Sequence, residues 1–216
     1  MRQWSIILSL VVANGLAVAT PALAAAIPES RRLDFTVLRD GDPVGHDILE
    51  FVQSGDQLKV QVKTNVAVKI AFVTVYRFEH QSTEIWQGGR LAQLVSRTND
   101  DGTGHILDVR ADSDNLRING DNQMSIARRD IVPASLWNED IVNGPVALNT
   151  LDGTKMAIAV QDLGMESVMV RGHAIPAHHY AITGQLQREL WYDARGVLVQ
   201  VRFKAKDKSE VLYALR

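Results

Sequence analysis

The chain has 216 residues, a formal net charge of −2, 22% charged side chains and no cysteine. Near balance of charge argues against a nucleic-acid binder, a polybasic membrane patch or an acidic tail. The missing thiol excludes a disulfide framework, a cysteine nucleophile and a lipid-anchored lipoprotein.

Residues 1–24 read as a secretory signal peptide. Arg2 supplies a basic start, an apolar run follows from Trp4, and Ala22-Leu23-Ala24 closes with the small-x-small cleavage pattern. The competing reading is a retained membrane anchor. The run carries Asn14 and Gly15 and falls short of the roughly 20 residues that span a bilayer, so cleavage after Ala24 is the expectation. The expected address is then the periplasm, with secretion as the alternative. Loss of Arg2 leaves 22 of the 23 basic side chains against 25 acidic ones. Residues 25–216 form a length that fits a single domain.

The dominant pattern of that domain has period two. Leu58, Val60, Val62, Thr64, Val66, Val68, Ile70, Phe72, Thr74, Tyr76 and Phe78 alternate with Lys59, Gln61, Lys63, Asn65, Lys69 and Arg77. One face is apolar and the other wet, as in an antiparallel strand. Unbroken, Leu58–His80 would extend on the order of 70 Å, so a bulge, bend or turn is expected near Thr64–Ala67 or Ala71–Thr74. Turn signals recur at Asp40-Gly41, Gly55-Asp56, Gly88-Gly89, Asp101-Gly102, Asn119-Gly120 and Asp152-Gly153. They supply the positive φ angles of hairpin turns and argue for a meander of long hairpins. The segment from Ile131 to Thr150 is the exception. Pro133, Ser135 as an N-cap, and Leu136, Trp137, Ile141 and Val142 predict one or two helical turns. This connector separates a larger N-terminal strand set from a smaller C-terminal one within a single sheet system. Near the end, Val197, Val199, Val201 and Phe203 are expected to share one face.

The stretch HAIPAHHY, His173–Tyr180, concentrates three of six histidines. Bracketed by Gly172 and Gly184 and rich in β-branched and aromatic residues, it reads as a strand. His178 and His179 then point to opposite faces, while His173 and His179 lie roughly 20 Å apart, so no shared metal is expected. Asn99-Asp100-Asp101-Gly102 is oxygen-rich but lacks calcium-loop spacing and reads as a hairpin turn. No nucleophile elbow, zinc-protease helix or phosphate loop is present. No catalytic residue, metal or cofactor is assigned. The remaining inventory is aromatic. Phe72, Tyr76, Phe78, Trp86, Trp137, Tyr180 and Trp191 are candidate walls of an apolar cavity inside an incompletely closed sheet.

Three phrases carry a resemblance: Trp86–Val109, Val132–Thr154, and Tyr180–Phe203 followed by VLYAL. Together they resemble a family of exported bacterial β-sheet proteins of unknown function, over about Leu33 to Leu215. In layout the chain is also similar to the lipoprotein-carrier group. That similarity implies a strongly curved antiparallel sheet forming a half-barrel around a lipid-binding cavity.

The fold expected is therefore mainly β: one strongly curved antiparallel sheet, or open barrel, with a short helical connector. The leading function is non-enzymatic binding of an apolar or lipid-like ligand. The alternative is a cell-envelope protein–protein interaction module using a sheet edge. A third is a hydrolase pairing His173, His178 or His179 with Asp100 or Asp101. No nucleic-acid partner and no integral membrane span are expected.

Overall fold

The computed structural model describes residues 26–121 and 123–216; the expected signal peptide, residues 1–24, lies outside the described residues. Eight antiparallel strands come first: β1 (Arg32–Arg39), β2 (Asp42–Ser54), β3 (Gln57–Ile70), β4 (Val73–Gln87), β5 (Arg90–Asp100), β6 (Thr103–Asp112), β7 (Asn115–Gly120) and β8 (Gln123–Arg128). The connector carries β9 (Val132–Pro133), a 3₁₀ turn over Glu139–Asn143 and β10 (Val146–Leu148). Five strands complete the chain: β11 (Lys155–Val170), β12 (His173–Gly184), β13 (Arg188–Asp193), β14 (Leu198–Lys204) and β15 (Glu210–Leu215).

All fifteen strands belong to one sheet, ordered β8-β7-β6-β5-β4-β3-β2-β1-β15-β14-β13-β12-β11-β10-β9. Both sequence-predicted strand sets are thus halves of one system, joined where β1 pairs with β15. The break expected in the long alternating stretch falls at Ala71-Phe72, the loop between β3 and β4. β12 spans His173–Gly184, the strand read from the histidine-rich stretch.

The sheet rolls up until its two ends nearly meet. A Cβ on Gly120 would stand 1.7 Å from the carbonyl oxygen of Asp152, so the β10–β11 loop presses directly on the end of β7. Ser96 Oγ donates to the Thr150 carbonyl at 2.5 Å, tying the same loop to β5. Between β8 and β9 the ladder stays open, and the barrel has a seam there. Pro133 in β9 lacks the N–H that an extended ladder would need.

The alternating side chains fill the interior. Phe35, Leu49, Val60, Leu91, Leu94, Leu107 and Leu116 are buried, and the connector inserts Trp137 and Ile141 among them. Trp137 meets Phe51 and Trp86 edge-on at 5.4 and 5.5 Å between ring centres. The space under the curved sheet is therefore occupied by the connector. Two local expectations are corrected. Asn138, not Ser135, caps the 3₁₀ turn, its side-chain oxygen accepting the Asp140 N–H at 3.0 Å. Val199 leaves the face of Val197 and Val201, because a bulge opposite Trp191-Tyr192 turns it outward into a second small core.

Candidate functional site

The seam holds a cleft of about 780 Å³. Its geometry follows from the local chain. After β8 the main chain turns sharply, with Arg129 N donating to Asp114 O at 3.1 Å and Ile131 N to Arg128 O at 3.3 Å. β9 then pairs in parallel with β10 and leaves β8 as an edge. Lys155, at the start of β11, reaches across and donates its Nζ to the Ile126 carbonyl at 3.0 Å.

Trp86 and Ile141 form the buried floor of the cleft, and Ile126, Ala127, Ile131, Val132, Pro145 and Val146 form its aliphatic walls. Its rim carries Arg90, Arg128, Arg129 and Lys155 against Asp130 and Asp140, four cations to two anions. This surplus of two sits on a chain whose formal net charge is −2. The cations are not equivalent. Arg129 is spent on the Leu91 and Ser113 carbonyls, and Arg128 is paired with Asp130 at 3.0 Å. Lys155 has no carboxylate partner among the described residues, and Arg90 has only Asp114 at 4.0 Å.

Beneath the floor lies a carboxyl group sealed from solvent. Glu84 is 0% exposed, and its Oε2 accepts the indole N–H of Trp86 at 2.8 Å and of Trp137 at 3.0 Å. Its Oε1 has no partner among the described residues. Burial raises its pKa, and the indole donors only partly offset that. The pair of indole hydrogen bonds fixes the Trp86 ring that floors the cleft.

A second polar feature crosses the inner face. Asp47, Thr64, His80 and Thr98 occupy one register row across β2, β3, β4 and β5, all buried. Thr64 Oγ1 donates to Asp47 at 2.7 Å, and His80 Nδ1 lies 2.7 Å from Thr98 Oγ1. Burial pushes Asp47 up to about 6 and His80 down to about 4. Period two announces the inward direction of these groups, but alternation alone gives no signal for a polar row inside a core.

Of the sequence-predicted aromatic residues, Trp86 lines the cleft and Trp137 packs beneath it. Tyr180 donates to Glu139 at 3.3 Å, next to the connector. Tyr76 donates to Asp100 at 2.8 Å, and Phe78 stacks on His80. Phe72 is fully exposed at a hairpin tip and does not line the cleft. Trp191 lies in the second core on the other face of β13. The three histidines do not meet the aspartates proposed for them. His178 pairs with Asp162 at 2.6 Å, and His179 stacks on Trp191 between Glu166 at 2.9 Å and Glu189 at 3.0 Å. His173 is exposed at the start of β12. Asp100 is engaged by Tyr76, and Asp101 accepts the Arg77 N–H. No group of three His, Cys, Asp or Glu among the described residues is placed to hold a metal. No helix among them is long and apolar enough to cross a membrane.

Comparison with known proteins agrees with this architecture. A family model described as "Domain of unknown function (DUF6134)" matches residues 35–216. No curated protein matches the chain. Among solved structures, a beta-barrel-like protein of domain of unknown function DUF1849 from Brucella abortus superposes with a TM-score of 0.61. It shares 10% sequence identity, and the match covers 86% of this chain and 94% of that one. At that identity the likeness is one of fold.

Proposed function

Given that the chain belongs to the DUF6134 family, we propose that it is an exported, periplasmic binding protein for an amphipathic, lipid-like molecule with an acidic head group. The exported address rests on residues 1–24. The observation that carries the binding role is the seam cleft: aliphatic walls around a Trp86 floor, with Lys155 and Arg90 lacking close carboxylate partners at its rim. A cleft of this size suits a small-molecule ligand. Its apolar lining would take the chain of the ligand, and the cationic rim its head. The aromatic residue that serves is Trp86, held by Glu84; the ligand lies in the gap between the sheet edges.

Titration with a dansyl-labelled fatty acid tests this reading. Emission should rise on binding, and Val146→Trp, which fills the cleft from a partly exposed wall position, should abolish the rise. Lys155→Glu should weaken binding by about tenfold, the scale of one charge-assisted contact. Binding that is absent, or unchanged in both variants, overturns it. The second reading, a protein partner adding a strand at the seam, is favoured by the free edge of β8 beside exposed Met124 and Ile126. Such a partner would protect β8 amides from hydrogen exchange, which a fatty acid would not.

A further inference from the structure

The β3–β4 hairpin outruns its neighbours. Pairing with β2 ends at Val66 and pairing with β5 at Phe78, so Ala67–Tyr76 has ladder partners only within itself. At its tip, Ile70, Phe72, Val73 and Val75 are exposed, Phe72 to 100%. The loop itself is unusual. Among the other two-residue loops, Asp40-Gly41, Gly88-Gly89, Asp101-Gly102 and Arg171-Gly172 place glycine second and Gly55-Asp56 places it first, while Ser113-Asp114 has none but takes a positive φ at Ser113 alone. The finger places Ala71 and Phe72 at φ 45° and 73°, the doubly left-handed pair that ordinarily selects Asn-Gly or Asp-Gly. A bulky residue held in that conformation, facing water, is a strained and costly choice, and such strain clusters at functional positions.

Charge supplies the independent observation. From Asn65 to Phe78 the charged residues are Lys69 and Arg77, both cationic. They face a shallow groove of about 260 Å³ at the base of the finger, together with Thr74 and Glu79; Arg77 pairs with Glu79 at 3.4 Å, and Lys69 has no carboxylate partner among the described residues. Of the turns at the same end of the barrel, three carry Asp40, Asp101 and Asp121, while the β14–β15 turn carries Lys206 and Lys208 with Asp207. The finger is thus an apolar projection with cations at its base, standing beyond a rim of mixed charge. Phe72 stands about 10 Å along the strand from Lys69 and about 16 Å from Arg77. Interfacial apolar groups sit roughly 5–10 Å into the boundary between head groups and acyl chains. Lys69, at about 10 Å, falls level with lipid phosphates, and Arg77, about 6 Å farther out, reaches them only through its long side chain.

We propose that the β3–β4 finger docks this protein onto an anionic lipid surface, Phe72 and its aliphatic neighbours entering the bilayer boundary while Lys69 and Arg77 meet the phosphates. This function is separate from the seam cleft and does not require it.

The absence of cysteine makes a direct test clean. Phe72→Cys and Met169→Cys, the latter an exposed residue on the β11–β12 hairpin at the opposite end of the barrel, are each labelled with an environment-sensitive nitrobenzoxadiazole dye. They are then mixed with vesicles of phosphatidylglycerol and phosphatidylethanolamine. Emission should rise and shift to the blue at position 72 and stay constant at 169. In co-sedimentation of the unlabelled protein, Phe72→Asp should lose at least tenfold in vesicle affinity without change in Tm. Lys69→Glu and Arg77→Glu should each lose about fivefold, and phosphatidylcholine vesicles should bind more weakly. Val146→Trp should bind vesicles as the wild type does, separating this result from that of the cleft. Failure of the wild type to sediment with anionic vesicles at low salt overturns the proposal, as does an equal response at both labelled positions.

Discussion

Two hairpins overhang this barrel, and they are handled in opposite ways. The β11–β12 arm bends at Gly164, where the register shifts and φ is 83°. Its Val168, Val170 and Ala177 then pack on Trp191 and Val199 to make the second core. Polar contacts lock the base: Trp191 Nε1 donates to Glu166 at 2.9 Å, while His179 is bracketed by Glu166 and Glu189. Arg202 completes the set at 2.6 Å from Glu189. The β3–β4 finger has comparable apolar content at its tip and nothing over it. An isolated two-stranded ribbon has marginal stability in water, so an overhang must either find cover or be held by its root. The arm finds cover. The finger is held by its root.

The largest difference should therefore appear between the ring that covers the arm and the ring at the tip of the finger. Trp191→Ala removes the ring on which the arm rests and should cost about 3–5 kcal/mol, read from urea unfolding. Phe72→Ala should change stability by less than about 0.5 kcal/mol, because no neighbour loses contact. Equal costs would break the contrast.

The root of the finger gives the next test, through pH. His80 on β4 is held down to about 4 by burial. The unfolded chain binds that proton first as pH falls below its ordinary 6.5, so the stability His80 contributes is lost between pH 6.5 and 4. The amount is about 3 kcal/mol. Asp47, in the same row, is raised to about 6. Here the unfolded chain releases its proton first, so stability falls as pH rises from about 4 to 6, again by about 3 kcal/mol. The two slopes oppose each other and nearly cancel in the wild type. Asp47→Asn should uncover stability that rises with pH across this window, and His80→Gln stability that falls. Denaturant midpoints at pH 4, 5 and 6.5 would show both. Parallel profiles for the two variants would contradict the opposed burial of the row.

Substitution of one carboxylate at the base of the arm should have a smaller effect. Glu166→Gln keeps an acceptor for the indole N–H of Trp191 but removes the charge facing His179, and a loss of about 1 kcal/mol is expected. Hydrogen exchange should speed up in the arm at Val168 and Val170 and stay unchanged in the finger. Matching acceleration in both would mean that the two hairpins open as one unit.

Much of this contrast was already visible in the residues. Alternation from Leu58 to Phe78 announced a long strand pair, and the composition of Ala71–Thr74 was one of two places where it had to turn. Gly172 and Gly184 bounded β12 correctly. What alternation does not encode is cover. Phe72 and Trp86 have the same parity on the page, yet one meets only solvent and the other floors the cleft. The outcome depends on where β2 and β5 stop, which is a property of neighbouring strands. Val199 shows a second limit. One unpaired residue at a bulge reverses every parity argument beyond it. The seam escaped sequence reading for a related reason. It arises because β1 pairs with β15, which leaves β8 and β9 as the edges, and no local signal marks that long-range pairing.

A further small stability effect compares the two loops directly. Arg171-Gly172 gives the arm a glycine at φ 79°, while the finger has Phe72 at φ 73°. A left-handed conformation costs a side chain roughly 1–2 kcal/mol, and glycine returns about half of that in backbone entropy. Phe72→Gly should therefore stabilise the protein by about 0.5–1 kcal/mol, a Tm increase of about 1–3 °C for a domain of this size. Gly172→Phe should move Tm the other way by a similar amount. A gain at position 72 would mean that the native chain gives up stability to keep an aromatic ring at that tip, the usual relation between a functional residue and the fold that carries it. No gain, or a loss, would show that Phe72 makes contacts which the exposed geometry does not contain.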